Sequence, residues 1–325
     1  MLRTFRLLLA YDGTDFVGWQ RQPDGVSIQG LLEDAVAPIA GGPVAVHGAG
    51  RTDAGVHATG QVASVTLDTR LDAATLRRAL NAGLPASVRV LECVDAAAGF
   101  HARFDALAKT YQYRILQGPV ASPFASRFAW HLRHALDVAR MADAAARLEG
   151  TFDFAAFQST GSDVRTTVRT VTRSRLTTAS LAAPRDDDGA CALPVIVVPD
   201  GRQIVYTLTG SGFLRHMVRA IVGTLVEVGL GRMPVDAVTR LLGEGLNARG
   251  SSVDVAQGFS PAHHHSDDVA QGSGDVAQGF SPARSADVAQ GFSPASRGDA
   301  GPTPPARGLC LVAVAYAPAP VAAHR

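Results

Sequence analysis

The first third of the sequence arranges strand-like and helix-like patterns in an order that few folds accommodate. Apolar stretches typical of strands occur four times, at 3–11, 44–49, 61–67 and 88–94. Between them, Ser27 and Asp72 can each cap a helix whose apolar residues recur at helical spacing. The resulting order, β-α-β-β-α-β, predicts a ferredoxin-like unit.

The second half repeats this order with additional elements. Strands are expected at 108–116, 168–178, 193–198, 203–209 and 309–316, and helices after Asp137, from Gly212 to Val228 and near 235–242. We therefore predict an α+β protein with mainly antiparallel sheets, built from two ferredoxin-like (RRM-like) domains over residues 1–105 and 106–325. A chain of 325 residues is long enough for two domains of ordinary size.

Residues 251–300 differ in kind from the rest of the second half. The unit Asp-Val-Ala-Gln-Gly-Phe-Ser-Pro-Ala occurs at 254–262, 275–283 and 287–295, with a truncated copy at 268–272. The copies lack the fixed period that stacked repeats require, and each has too few large apolar residues to offset the entropy of ordering. We predict a disordered insertion that interrupts the C-terminal domain, and we interpret His263–His265 within it as solvated linker rather than a metal site.

Composition restricts the classes of function. No apolar run approaches the about twenty residues of a membrane-spanning helix, and the N-terminal apolar run is too short for a signal peptide. The three cysteines, Cys93, Cys191 and Cys310, lie far apart, which disfavours a disulfide framework or structural zinc site and indicates a cytoplasmic location. The net charge of +1 does not identify a partner, but it permits a local basic cleft.

The segment Gly48–Ala58, between two predicted strands, contains the strongest candidate site. Its glycines allow close approach of a ligand or a positive φ, and it carries Asp53 near Arg51 and Thr52. A carboxylate on such a loop is a candidate nucleophile, although the spacing fits an Asp–Arg pair that stabilises a turn equally well. Two glycines of the loop resemble the start of a dinucleotide-binding motif, but Asp53 stands where the third glycine would be and would repel a pyrophosphate.

Five blocks of the sequence resemble the tRNA pseudouridine synthase A family. They are Arg51–Ala58 (RTDAGVHA), Tyr11–Thr14 with Gly18–Gln20, Phe100–Phe104 with Lys109–Tyr113, Gly212–Arg219 and Gly308–Leu311. The blocks occur in the family's order and cover roughly residues 1–250 and 302–317. The 251–300 insertion and the acidic turn Arg185–Asp188 depart from the family pattern without touching a matched block.

This resemblance implies a fold and an activity. In the family, an active-site cleft lies between the two domains, and the enzyme isomerises uridine to pseudouridine at positions 38, 39 and 40 of the tRNA anticodon stem-loop by base flipping. The reaction breaks the N1–C1′ bond and rejoins the uracil through C5, so no redox change occurs and no cofactor is needed. The implied partners are the tRNA anticodon arm and a second copy of the chain in a homodimer.

The resemblance also implies roles for individual residues. Asp53 becomes the nucleophile, and Arg219 keeps its carboxylate ionised and oriented. From periodicity alone, Arg219 is instead an exposed arginine on an amphipathic helix. Tyr111 corresponds to the tyrosine that stacks on the target uracil. Because Tyr111 and Tyr113 alternate along one strand, we expect their rings on opposite faces of the sheet, so that only Tyr111 reaches the pocket.

Four further residues follow from the same comparison. Arg51 would occupy the space that the flipped base leaves, and Leu309 would close the pocket over that base. Thr52 and His57 are candidate substrate-binding residues of the matched loop, although a loop histidine often binds only backbone. Two other functions remain open: a non-catalytic RNA-binding protein with ferredoxin-like domains, and a nucleotide-binding metabolic enzyme that uses the glycine-rich loop.

Overall fold

A computed structural model describes residues 2–159, 164–181, 201–243 and 297–318. All of them belong to one unit, Met1–Leu246 with Ala295–Arg325. Four features of the sequence lie outside the described residues: the strand expected at 193–198, the acidic turn Arg185–Asp188, the repeats between 254 and 295, and His263–His265.

Ten strands of the described chain form one sheet. They are β1 (Leu2–Tyr11), β2 (His47–Gly48), β3 (His57–Asp68), β4 (Val88–Asp95), β5 (Ala106–Gln117), β6 (Trp130–Leu132), β7 (Gly150–Asp153), β8 (Val168–Ser180), β9 (Arg202–Gly210) and β10 (Leu309–Tyr316). Their order is β4-β1-β3-β10-β5-β9-β8-β7, with β2 paired to β3 and β6 paired to β5. Within these residues every pair is antiparallel except β3–β10 and β5–β6. The predicted α+β class with a mainly antiparallel sheet is confirmed.

The β3–β10 pair joins two sets of strands that are distant in sequence. Cys310 lies opposite His57, and Leu311 lies opposite Ala58. On one side stand β4, β1 and β3, and on the other stand β10, β5, β9 and β8. Because β3 begins directly after the Asp53 loop, this junction brings that loop beside the start of β10.

Five α-helices of the described chain accompany the sheet: α1 (Ile28–Ala40), α2 (Ala73–Gly83), α3 (Val138–Ala146), α4 (Met217–Gly229) and α5 (Ala237–Leu241). The predicted caps at Ser27 and Asp72 are confirmed, and Asp137, predicted only to precede a helix, also caps one. Ser27, Asp72 and Asp137 each accept a hydrogen bond from the backbone N–H three residues later, at 3.1, 2.6 and 3.1 Å. No helix in the described part of the chain is long and apolar enough to cross a membrane.

Two predicted elements differ from the structure. The strand expected at 44–49 is present only as the two-residue β2, because side chains of α1 bind the backbone of Val46. Glu33 Oε1 accepts a hydrogen bond from Val46 N at 3.3 Å, and Gln29 Nε2 donates one to Val46 O at 3.1 Å. The helix expected from Gly212 begins instead at Met217. The short strands β6 and β7 were not predicted, since three or four residues are too few to show a period.

Helix α4 fixes the path by which the chain reaches β10. The helix is buried on nearly all sides, and a Cβ at Gly223 would collide with the carbonyl oxygen of Pro302. At the next residue, Thr224 Oγ1 accepts a hydrogen bond from Gly301 N at 3.0 Å. Residues 301–305 are thereby held against α4, and β10 enters the sheet between β3 and β5.

Candidate active site

The segment that follows β1 supports the Asp53 loop. Gly18 forms an isolated β-bridge with Asp53, and Trp19 N donates to Thr52 O at 2.9 Å. Gly18 has a φ of 111°, and a Cβ at this position would lie 2.6 Å from Thr52 O. Only glycine can therefore make this approach.

Side chains from β1 and β3 hold the loop from its other side. The hydroxyls of Tyr11 and Thr52 are hydrogen-bonded at 2.9 Å, and both residues are buried. Gln61 Nε2 donates to Gly50 O at 2.8 Å. The loop is thus fixed by its backbone and by Thr52, which leaves the carboxylate of Asp53 available to a ligand.

A cleft of about 1350 Å³ opens in front of Asp53. It is lined by the Asp53 loop, by β5, by the first residue of β10 and by the segment 212–219. Small-molecule pockets are usually about 300–1,000 Å³, so this cleft suits a larger ligand. Among the described residues that line it, Asp53 is the one acid beside six basic residues: Arg51, Arg103, Lys109, Arg169, Arg215 and Arg219. Positive charge is therefore concentrated in this cleft, although the whole chain carries only +1.

The side chain of Asp53 is 32% exposed and faces His216, whose Nε2 lies 3.4 Å from Asp53 Oδ2. His216 is the one non-glycine residue with a positive φ (61°) in the described chain, and it precedes the first residue of α4. A left-handed backbone costs a residue of this kind roughly 1–2 kcal/mol. Strain of this kind often occurs at functional sites, where it fixes a side chain in place.

Arg219 lies in the first turn of α4 and lines the same cleft. Its Nε donates to Pro304 O at 2.8 Å. Burial lowers the pKa of Arg219, and the negative charge of Asp53 opposes that shift. The two groups therefore interact electrostatically, but among the described residues the basic side chain within 4.0 Å of the Asp53 carboxylate is His216 rather than Arg219.

Tyr111 reaches the cleft from β5 and is only 7% exposed. Its ring meets Phe213 edge-on, with centroids 5.1 Å apart. Burial raises the pKa of its hydroxyl well above the usual range, and the charge of Asp53 acts in the same direction. Tyr111 is therefore a neutral phenol beside the carboxylate.

The expectation that Tyr111 and Tyr113 lie on opposite faces is wrong. Residues two apart on a strand share a face, and both tyrosines are buried on the same side of β5. What separates them is position along the strand. Tyr113 lies deeper, fully buried, and its hydroxyl donates to Pro305 O at 2.7 Å.

The structure also brings Arg51, Thr52 and Leu309 to this cleft. Arg51 is exposed at its surface, where it is free to meet a ligand. Leu309, the first residue of β10, is 5% exposed and lies opposite Tyr113 in the β5–β10 pair. An apolar side chain here can close one wall of the cleft.

His57 is not among the residues of this cleft. It lines a smaller cavity of about 330 Å³ with Asp12 and Phe128. Gly13 N donates to its Nδ1 at 3.1 Å, and its Nε2 lies 3.0 Å from Arg127 O. Nδ1 also lies 3.1 Å from Asp12 Oδ1. Burial lowers the pKa of this imidazole, and the Asp12 carboxylate acts in the opposite direction.

A sequence profile described as tRNA pseudouridine synthase matches residues 8–105 and 144–260. The chain belongs to the tRNA pseudouridine synthase family. It is 42% identical over 255 residues to tRNA pseudouridine synthase A of Syntrophotalea carbinolica, and this alignment covers 78% of this chain and 92% of that protein. It is 40% identical over 258 residues to the protein of the same name from Geotalea uraniireducens, covering 79% and 97%. For that of Limosilactobacillus fermentum the identity is 37% over 264 residues, covering 80% and 93%. The resemblance inferred from the five blocks is confirmed.

Lys109, Phe213 and His216 are among the cleft residues of this synthase that sequence analysis did not single out. Lys109 is the only lysine of the chain, and it stands two residues before Tyr111 on the same strand face, so period-two spacing could have identified it. Burial lowers its pKa. His216 gives no such signal, because its contact with Asp53 depends on an unusual backbone angle. Within the described residues, no group of three or more side chains could hold a metal ion.

Proposed function

We propose that this synthase acts on uridines 38, 39 and 40 in the anticodon stem-loop of tRNA, with Asp53 as its nucleophile. As a member of its family, the chain isomerises uridine to pseudouridine in tRNA. The observation that carries the assignment of Asp53 is its position: it is the one acid among the described residues of a strongly basic cleft. Basic walls bind RNA phosphates, and the single carboxylate remains for chemistry.

The reaction exchanges one bond to the ribose for another. The N1–C1′ bond breaks, the uracil turns, and C5 bonds to C1′. C5 loses its proton, and N1 gains one. A carboxylate could attack C1′, attack C6 of the base or remove a sugar proton. Each of these routes requires an ionised Asp53 with an unbound oxygen, and the 32% exposure of this side chain provides access.

The target uridine must leave its stack to reach Asp53, because the carboxylate lies within the cleft. Unstacking costs a few kcal/mol. Arg51, exposed at the cleft surface, is placed to fill the vacated space. Tyr111 offers a flat, neutral ring on which the flipped uracil can stack, and Leu309 closes the adjacent wall.

The neighbours of Asp53 orient its carboxylate. We assign this orienting role to Arg219. The negative charge of Asp53 acts on its guanidinium, and the guanidinium is held in position by the hydrogen bond from its Nε to Pro304 O. His216 supports the other side of the carboxylate. Thr52 acts by fixing the loop, since its hydroxyl is bound to Tyr11. We assign His57 to support of the fold rather than substrate binding, because both of its ring nitrogens have backbone partners.

We also propose that the sheet consists of two ferredoxin-like domains, residues 1–105 and 106–325, with the active-site cleft between them. In such a domain the four strands lie in the order 4-1-3-2. The first half provides β4-β1-β3 with β2 paired to β3, and the second provides β10-β5-β9-β8, which is the same order in each case. The 251–300 insertion would then interrupt the second domain before its last strand.

A cytoplasmic homodimer is the assembly that we propose for this enzyme. Cys93 and Cys310 are free and buried, as expected in a reducing compartment. A second subunit would extend the basic surface along the RNA. Sedimentation of the purified protein, alone and with tRNA, measures the oligomeric state directly.

The decisive experiment maps pseudouridine in tRNA from cells with and without this protein. We expect positions 38–40 to lose pseudouridine in the deletion strain and to regain it with the wild-type gene, but not with Asp53→Asn. Purified protein should convert single-uridine transcripts at these positions without added cofactor. Unchanged modification in the deletion strain, or conversion at other positions only, would contradict the assignment. Tight tRNA binding without any conversion would favour the non-catalytic alternative.

A further inference from the structure

Three aromatic rings form a stack at one side of the cleft, and none has a part in the chemistry described above. His47 and His101 are stacked with centroids 4.8 Å apart and an interplanar angle of 28°. His101 and Phe104 follow at 4.2 Å and 36°. All three residues line the same cleft as Asp53. Phe104 forms one end of this row and is 74% exposed.

The middle ring of the stack is held in place by its own turn. Arg103 N and Phe104 N lie 3.1 and 3.4 Å from His101 Nδ1 and donate to it, and Asp105 Oδ2 accepts from His101 N at 2.8 Å. An Nδ1 that accepts two bonds carries no proton. Burial lowers the pKa of His101, and neighbouring His47 and Arg103 act in the same direction. His101 is therefore neutral, and its own turn preorganises the stack.

The surroundings of the stack are basic. The guanidinium carbon of Arg103 lies 5.8 Å from the centroid of the Phe104 ring. Lys109, also close to Arg103, lines the cleft together with Arg51. An exposed neutral ring beside cations matches a nucleotide, which has a flat base and an anionic phosphate. An apolar protein segment would bury these cations without partners, so it fits the surface less well.

We propose that the His47–His101–Phe104 stack binds a second, unpaired RNA base that lies near the target uridine. This inference rests on the proposed function, since it takes an RNA loop as the ligand. Phe104 provides the open face on which the base stacks, and Arg103 contacts the adjoining phosphate. The stack thereby helps to select a substrate whose neighbouring nucleotide is free to leave its own helix or loop stack.

Variants of Phe104 test the proposal without disturbing the core, because the ring is largely exposed. In Phe104→Leu the apolar volume remains but the flat ring is lost, and in Phe104→Trp the ring is retained. Base–aromatic stacking energies predict that Phe104→Leu weakens anticodon stem-loop binding about tenfold or more, and raises KM similarly, while kcat stays within about twofold. Phe104→Trp should restore binding. Phe124→Ala is the matched control, because Phe124 is 80% exposed but is not a residue of the cleft.

A double-mutant cycle identifies the base. Stem-loops with one abasic site at each loop position in turn are bound to wild type and to Phe104→Leu. At the position of the stacked base, the effects of the abasic site and of Phe104→Leu on the binding free energy should not be additive. At every other position they should be additive. Three outcomes would overturn the proposal. Wild type and Phe104→Leu could bind with equal affinity, the two changes could be additive at every loop position, or Phe104→Leu could change the oligomeric state and not the RNA affinity. These measurements read RNA binding, so they stand apart from the proposed function, which fails if wild type forms no pseudouridine at positions 38–40.

Discussion

Asp53 lies in the loop before β3 and His57, four residues later, is the first residue of that strand, yet the two side chains have opposite surroundings. The Asp53 side chain is 32% exposed and faces a basic cleft of about 1350 Å³. The His57 side chain is 6% exposed, belongs to a separate small cavity and has backbone partners on both ring nitrogens. A titratable residue is available for chemistry when the fold leaves its polar atoms without backbone partners, and presence in a family motif does not ensure this.

The same difference separates two tyrosines of β5. The hydroxyl of Tyr113 is bound to Pro305 O. The ring of Tyr111 lies beside Asp53 and Phe213 in the cleft. In both pairs, the residue that reaches the cleft should affect turnover, and the residue tied to backbone should affect stability.

Asp53→Asn provides the strongest test of this contrast. The amide keeps the size of the side chain but removes the charge and the nucleophile, so we expect kcat to fall at least about 10³-fold. Binding of tRNA should remain within about twofold, since the basic residues are unchanged. Tritium release from uracil-labelled tRNA measures turnover, and filter binding measures affinity. Substantial turnover by the variant would remove Asp53 from its assigned place.

Arg219→Ala should have the second largest effect. It removes a partly buried charge that interacts with Asp53, and a loss of this kind corresponds to about a hundredfold in kcat. Arg215→Ala is the control, because Arg215 lines the same cleft four residues earlier. We expect Arg215→Ala to change KM more than kcat. If it lowers kcat more than Arg219→Ala does, the ionic partner of Asp53 has been assigned to the wrong arginine.

The tyrosine pair separates turnover from stability. Tyr111→Phe should lower kcat by about tenfold, because it removes a hydroxyl beside the reacting groups. Tyr113→Phe should leave kcat nearly unchanged but lower the free energy of unfolding by about 1 kcal/mol, since Pro305 O loses its donor. Urea titration with parallel steady-state kinetics compares the two. Equal kinetic effects would show that position along the strand does not decide access to the cleft.

The smallest effect on activity is expected for His57→Gln. We expect kcat within about twofold of wild type and a loss of about 1 kcal/mol in stability at neutral pH. The variant should also change the pH dependence. The folded state keeps His57 neutral, whereas the unfolded chain binds a proton near the ordinary value of 6.5. The stabilisation is therefore complete above pH 6.5 and declines as pH falls below it toward the lower folded pKa.

Urea unfolding of wild type and His57→Gln at pH 7.5 and 5.5 checks this sign. Wild type should lose more stability between the two values than the variant does, and the difference between them isolates His57 from the other histidines. If the variant shows the same loss, the pKa of His57 does not differ between the folded and unfolded states, and the predicted sign is wrong. If wild type instead gains stability relative to the variant at pH 5.5, His57 is charged in the fold and forms an ion pair with Asp12.

Local interactions made a large part of this structure readable from the residues alone. The caps at Ser27 and Asp72 could be predicted because each is made by a hydrogen bond from the backbone N–H only three residues later. Strands β1, β4 and β5 were placed to within a few residues, since apolar alternation reports burial of one face. The sequence blocks also identified the family and the loop that carries Asp53.

Contacts between distant segments could not be read in this way. The shortening of β2 depends on two side chains of α1, and the late start of α4 depends on the left-handed backbone of His216. The separate surroundings of Asp53 and His57 arise where β10, some 250 residues away in the chain, pairs with the start of β3. Propensity and periodicity act over a few residues, whereas a site of this kind is made by side chains that meet only after the sheet has closed around them.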